Sequence, residues 1–206
     1  MSLFISFEGI DGSGKSTQAR LLAQALGARL TREPGGAPGA EEIRRLLVQG
    51  DAARWSAETE ILLFTAARRD HLERTIRPAL DEGRVVVCDR FADSTRVYQG
   101  ARGGAGMREK VDLLHAAMIG IEPDLTFLID TDPATALARG QARGGTEDRF
   151  ESLGLGFQET LRAGFLALAA ADPARIRVID GNRSPEVIAQ EIEPLARTAI
   201  AERAHG

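Results

Sequence analysis

The chain has a single cysteine, Cys88, so no disulfide can close within it. That fits a reducing compartment, and the place of Cys88 in an apolar run reads as a small buried side chain. Basic residues are not in excess: 26 Lys and Arg stand against 30 Asp and Glu, a formal net charge of −4. A broad electrostatic grip on nucleic acid needs a basic surface, so no nucleic-acid partner is expected. No apolar run approaches the roughly 20 residues that span a bilayer, so no membrane partner is expected either. The opening "MSLFISFEG" lacks a basic region and a cleavage pattern. It reads as a first strand, and the expected location is the cytoplasm. Internal repeats and shifts of composition are missing too, so residues 1–206 read as one domain. His71, His115 and His205 show neither metal-ligand spacing nor a nucleophile partner and are set aside as structural or exposed. Trp55 and the C-terminal "AERAHG" also carry no assignment.

What is present is a globular composition, 43% hydrophobic, in a chain long enough for a substantial core. Short apolar runs recur: "LFISFEG", "ARLTRE", "VVVCDR", "LTFLID" and "IRVIDG". Stretches with helical spacing separate them, at 15–26, 40–48, 57–80 (with a break expected near Pro78), 107–118, 133–142, 150–170 and 185–203. Strands alternating with helices predict an α/β fold, a parallel sheet covered on both faces. The runs at 85–88 and 125–129 are almost wholly apolar, as buried parallel strands are. Several runs end in an acid: Glu8, Glu33, Asp89, Asp130 and Asp180. In open α/β sheets ligands sit beyond the carboxyl ends of the strands, so these acids stand where chemistry is expected. Two glycine-rich stretches, 98–106 and 142–150, read as long functional loops.

The most specific stretch is "GIDGSGKS", residues 9–16, between the first strand and the first helix. It fits G-x-x-x-x-G-K-[ST] in the context that gives the motif its meaning. Gly9, Gly12 and Gly14 let backbone amides turn in around a phosphate, with Ser13 and Thr17 in the same cradle. The helix N-terminus adds favourable partial charge. Lys15, read as a solvated loop lysine, can reach the terminal phosphates, and the Ser16 hydroxyl can bind Mg²⁺. A nucleoside triphosphate site follows, but the motif alone does not separate kinases, ATPases and GTPases.

The other constellations are less specific one by one. In "TREPGG", Arg32 and Glu33 lie at the active edge and an irregular chain follows; a simple turn is the plainer reading. Arg44 and Arg45 on the next helix are either an anion clamp or a solvated face. Phe64 and Arg68 share one helix face, either as core plus surface charge or as a ring that stacks on a base beside an arginine that binds its edge. In "VVVCDRFADSTRVYQG", Asp89 can help hold hydrated Mg²⁺, Arg90 can hold a second phosphate, and Ser94, Thr95, Tyr98 and Gln99 crowd the same edge. Arg139, Arg143 and Arg149 surround the second glycine-rich stretch, as a loop that carries arginines over a transferring phosphate would place them.

Taken together, "FISFEGIDGSGKSTQ", "TREPGG", "LLFTAAR", "DRFADSTRVYQG" and "DRFE" resemble the bacterial thymidylate kinases over nearly the whole chain. The resemblance implies the P-loop nucleoside monophosphate kinase fold, a five-stranded parallel sheet flanked by helices. It also implies phosphoryl transfer from ATP to dTMP giving dTDP and ADP, a need for Mg²⁺, and a homodimer. Position by position, it implies that Lys15 and Ser16 serve ATP and Mg²⁺, and that Asp11 reaches the sugar 3′-hydroxyl. Glu33 lies near the acceptor and its magnesium, and Arg44 and Arg90 grip the dTMP phosphate. Phe64 stacks on thymine while Arg68 bonds O4, Thr95 and Gln99 line the pocket, and Tyr98 crowds the sugar 2′ position. Arg149, with Arg143, comes from a lid at about 139–151. Two features depart from parts of the family. Gly12 stands where some relatives carry a phosphate-loop arginine, and Gln141 stands where the lid often has one.

Rival readings remain open at this point. A kinase for another nucleotide or a deoxynucleoside would use much of the same machinery. A GTP-binding switch is disfavoured because no N/T-K-x-D guanine-reading motif is evident, and a nucleic-acid motor suits neither the size nor the charge.

Overall fold

The computed structural model describes residues 2–51, 53–143 and 153–205, apart from the side chains of Arg143, Ala204 and His205. Five parallel strands form one sheet: β1 (Leu3–Glu8), β2 (Arg29–Arg32), β3 (Val85–Asp89), β4 (Leu125–Asp130) and β5 (Ile176–Asp180). Their order is β2-β3-β1-β4-β5, so β1 is central, and Phe7 pairs with both Asp89 and Phe127. The chain leaves β1 toward one edge, builds β2 and β3, then crosses to the other side for β4 and β5. The turn after β1 therefore opens where the winding reverses, the place at which such sheets receive ligands.

Side-chain alternation divides the sheet between two layers. Leu3, Ile5 and Phe7 of β1, with Val87, Phe127 and Ile129, face α1 (Lys15–Leu26) and α9 (Pro185–His205). Phe4, Val86 and Cys88 face the opposite layer, with Leu72, Ile76 and Phe91. Leu128 and Ile176 continue that layer against Leu161 and Phe165 of α8 (Gly154–Ala171). Strands buried on both faces explain the unbroken apolar runs.

The remaining helices are α2 (Pro38–Val48), α3 (Ala57–His71), α4 (Arg77–Asp81), α5 (Ala92–Gly103), α6 (Met107–Met118) and α7 (Pro133–Arg143). Two expectations change. The stretch 98–106 is not a long loop, because α5 runs through it to Gly103. Burial of Val97, Tyr98 and Gln99 outweighs the poor propensity of Gly100 and Gly103. A Cβ on Gly103 would stand 2.2 Å from Met107 Cε, so that glycine also lets α6 fold back closely. The helical run from 57 is not broken at Pro78. It widens into a π turn at Leu72–Ile76, where the Arg77 N–H reaches Leu72 O. The wider turn makes room for a residue without an N–H, whose ring would crowd the carbonyl four residues back.

Candidate active site

The glycine loop begins at Gly9, directly after β1. Gly9, Gly12 and Gly14 have φ of 140°, 80° and 95°. A Cβ on Gly9 would lie 2.6 Å from Ile129 O, and one on Gly12 would lie 1.9 Å from Ala136 O of α7. The glycines thus serve both the turn and the packing of the loop onto its neighbours. Gly14 caps α1, and the Gln18 N–H bonds Gly14 O at 3.1 Å. Ser16 is exposed at the mouth of this helix and Thr17 is half-buried. Ser13 Oγ is buried with no partner among the described residues.

Lys15 is not the solvated residue its loop position suggests. Its side chain is 7% exposed, and Nζ donates to Ile10 O at 3.2 Å and lies 3.7 Å from Asp11. Burial, then the nearby Arg90 charge, lower its pKa to about 8. An anion arriving in the cradle would remove that penalty.

Arg90 is the junction of the site. It follows β3 and has φ 73°, the only positive φ on a non-glycine among the described residues. Its Nη1 donates to Gly9 O (3.0 Å) and Ser94 Oγ (2.7 Å). Its Nη2 donates to Asp11 (2.5 Å) and to the Tyr98 hydroxyl (3.1 Å), which itself donates to Asp11 at 2.8 Å. Burial pushes the Asp11 carboxyl up, but Arg90 and Lys15 outweigh it and hold Asp11 below the usual carboxylate range. Burial and the Asp11 contact push the Tyr98 hydroxyl well up, so it stays protonated. Glu8, expected only as one of the acids at the active edge and given no role there, accepts from the Phe91 and Ser94 N–H groups and the Ser94 hydroxyl. Burial, then repulsion from Asp93, raise its pKa to about 7.

Behind α5 lies an ion network. Asp93 pairs with Arg96 (2.8 Å) and with Arg175 (2.7 Å). Arg96 also bonds Asp112 of α6 and Glu122, while Arg175 donates to Thr126 of β4.

A second polar chain runs away from Arg90. Arg68 is buried on α3: Nε donates to Glu33 at 2.7 Å and Nη2 to Thr95 Oγ1 at 2.8 Å. His71 joins Glu33 (3.1 Å) to Thr31 Oγ1 (2.6 Å). Histidine spacing gave no hint of this; the available signal was that His71 lies three residues past Arg68, on the same helix face. Phe64, one turn before Arg68, is half-buried. Gln99 Nε2 donates to Glu60 at 3.0 Å, while its Oε1 is buried with no partner among the described residues. Arg44 donates to Pro34 O at 2.5 Å. On the far side of the glycine loop Arg139 donates to Gly181 O at 3.3 Å. Arg143 ends α7, and Arg149, with most of the expected lid, lies outside the described residues.

A divalent cation would find hard oxygen donors here. Asp89 Oδ1 is buried with no partner among the described residues, and Ser16 is exposed at the helix mouth. No cluster of three or more His, Cys, Asp or Glu among the described residues makes a closed metal cage. Mg²⁺ is usually held by one or two protein oxygens together with phosphates and water.

A phosphate cradle and a second ring of polar groups, joined by one arginine at the carboxyl edge of a doubly wound sheet, define a P-loop phosphotransferase with a separate acceptor site. A model of the thymidylate kinase family matches residues 7–192. The thymidylate kinase of Ruegeria pomeroyi is 63% identical over 203 residues, 96% of each chain. That of Dinoroseobacter shibae is 67% identical over 193 residues, 91% of this chain and 93% of the other. The crystal structure of thymidylate kinase from Ehrlichia chaffeensis matches with a TM-score of 0.75 at 35% identity, over 95% of this chain and 98% of that one. The chain belongs to the thymidylate kinase family, and its activity is that of a dTMP kinase with ATP as co-substrate.

Proposed function

We propose that the site divides phosphoryl transfer from ATP to dTMP between the glycine loop and a rigid acceptor pocket centred on Arg90. The observation that carries this is the pose of Arg90, which touches the loop at Gly9 and the acceptor side at Ser94 and Tyr98. The amides of Gly9–Thr17 and Lys15 hold the triphosphate. Ser16 and Asp89 hold Mg²⁺, which when bound offsets charge on the phosphates. Arg90 and Arg44 hold the dTMP phosphate, and Asp11 and Tyr98 face the sugar, Asp11 at the 3′-hydroxyl and Tyr98 against a 2′-hydroxyl. Phe64 offers a stacking face. Nη1 of Arg68, the nitrogen not engaged by Glu33, Thr95 or Phe91, serves thymine O4, and Gln99 Oε1 accepts from the base. Glu33 acts mainly through Arg68, since both its oxygens are engaged; its N–H bonds Asp89 O at 2.9 Å beside the candidate metal acid.

The acceptor phosphate is largely ionised near neutral pH, so no strong general base is needed. The protein supplies position and charge. Gly12 leaves the loop without an arginine, so Arg149, with Arg143, meets the transferring group when the stretch around 139–151 closes over ATP. A residue in that role contributes on the order of 10³–10⁵ in rate. Single-turnover transfer by Arg149→Ala, set beside dTMP binding, tests this; a loss confined to dTMP affinity defeats it.

The chain is read as one kinase domain working in the cytoplasm, where its nucleotides are. No helix among the described residues is long and apolar enough to cross a membrane. A homodimer is supported by exposed apolar side chains on adjoining helices, Leu62 of α3 and Leu113 and Met118 of α6, and light scattering reads it directly. The central test is coupled ADP release with dTMP, dUMP, dCMP, dGMP and the ribose analogue of dTMP. Preference for dTMP is expected, and equal turnover of dCMP would defeat the base-reading roles.

A further inference from the structure

Glu8 closes β1 and is 1% exposed, an acid placed where burial is costly. Its surroundings explain the placement. Phe91 is the N-cap of α5 and has no side chain able to cap. Glu8 supplies the missing acceptor from another strand: Oε1 takes the Phe91 N–H at 2.8 Å and the Ser94 N–H at 3.2 Å. Oε2 takes the Ser94 hydroxyl proton at 2.5 Å. That leaves the lone pairs of Ser94 Oγ toward Arg90, whose Nη1 donates to it at 2.7 Å. The same carboxylate therefore acts on Arg90 twice, through its backbone and through its guanidinium.

The backbone matters because φ 73° is unfavourable for arginine. The strained residue is pinned on both sides. Its own N–H bonds Phe7 O at 2.9 Å, its carbonyl accepts from Cys88 Sγ at 3.0 Å, and the next N–H is held by Glu8. Without the Glu8 contact one side of this bracket opens.

We propose that Glu8 is a positioning residue for the acceptor, fixing Arg90 in the pose from which it meets the dTMP phosphate. This rests on the reading of Arg90 given above. A simple helix cap would make the same backbone contacts, so the experiment must separate stability from acceptor binding. Four proteins do so: wild type, Glu8→Gln, Arg90→Ala and the double variant. KM for dTMP, KM for ATP, kcat and Tm are measured on each. Glutamine keeps Oε1 as an acceptor for Phe91 but replaces Oε2 with a donor that cannot take the Ser94 proton.

Glu8→Gln is expected to raise KM for dTMP by about tenfold, the scale of one charged hydrogen bond, while leaving KM for ATP essentially unmoved. On the Arg90→Ala background the same change should add little, since its target is gone. Additive losses, or parallel losses for both substrates that track Tm, would mean an ordinary cap and overturn the proposal. If Arg90→Ala raises KM for dTMP and Glu8→Gln does not, the proposal fails while the reading of Arg90 stands. If Arg90→Ala has no effect on KM for dTMP, both fail. Should Glu8→Gln not fold, Ser94→Ala cuts the relay at its hydroxyl. It is expected to show the same dTMP-selective rise, and an unchanged KM for dTMP overturns the proposal.

Discussion

Gly12 and Ala136 touch through their backbones: a Cβ on Gly12 would stand 1.9 Å from the Ala136 carbonyl oxygen, and Gly12 also has φ 80°. Even Gly12→Ala therefore meets two obstacles, a left-handed backbone and a carbonyl that belongs to another helix. The variant should lose about 1–3 kcal/mol of stability and most of its ATP affinity. Thermal melts with and without ATP check this. A variant with normal ATP-induced stabilisation would show that the loop does not need this contact.

Lys15 gives the opposite pattern. Its charge is buried and is disfavoured by burial and by Arg90 while no phosphate is bound. Lys15→Met should melt no lower than wild type without ligand, because a buried charge is replaced by an apolar chain of similar length. Turnover should nearly vanish. A large fall in Tm with turnover retained would contradict both the burial argument and the phosphate role.

Arg68 is a structural residue to which the proposed function adds recognition of the base, so its removal should be felt in both. Arg68→Ala leaves the Glu33 carboxylate, 4% exposed, with His71 alone. Breaking a buried pair on one side costs about 3–5 kcal/mol. In protein that remains folded, binding of dTMP should weaken more than binding of ATP. Calorimetric titration with each nucleotide decides it; equal weakening would remove Arg68 from base reading.

The two acids flanking Arg90 predict opposite pH behaviour. Glu8 has its pKa raised from 4.5 to about 7, so the folded state binds a proton there that the unfolded chain has released. Its contribution to stability is full below pH 4.5 and is lost as pH rises through about 7. Asp11 is depressed, so its contribution is present above the ordinary carboxylate range and is lost only in stronger acid. Between pH 4.5 and about pH 7 the Glu8 effect is the one that moves, by about 3 kcal/mol at most. The groups that bear on Glu8 are Arg90 and Asp93 at the start of α5, Lys15 from the glycine loop and the neutral Cys88 thiol. Ligand-free wild type should therefore lose Tm relative to Glu8→Gln across that range. Parallel melting profiles for the two proteins would show that Glu8 does not titrate there.

The sheet was legible because its evidence is local. Apolar runs such as "VVVCD" and "LTFLID" and the acids that end them mark the strands and their active edge. The glycine loop was legible because its spacing has one use. The role of Glu8 was not, since an acid at a strand end gives no sign that a cap is missing 83 residues later at Phe91. The burial of Lys15 escaped for a similar reason, because it depends on contacts made only once the loop has closed on Arg90 and Asp11. Gly100 and Gly103 misled for the converse reason: they announce a loop locally, and the packing of Tyr98 and Gln99 overrules them.

The ion network behind α5 has a mechanical consequence. The first turns of that helix are tied to β1 through Glu8, to the segment before β5 through Arg175, to α6 through Asp112 and to the segment before β4 through Glu122. A helix anchored in four directions cannot swing toward an arriving nucleotide. On the reading proposed above it is the fixed jaw of the enzyme, and the proposed closure comes from the α7 side. Amides at the root of α5, those of Phe91 and Ser94, should then be among the slowest to exchange with solvent, with or without substrate. On that proposed division of the site, the anchored helix sets selectivity for the acceptor before any closure over ATP.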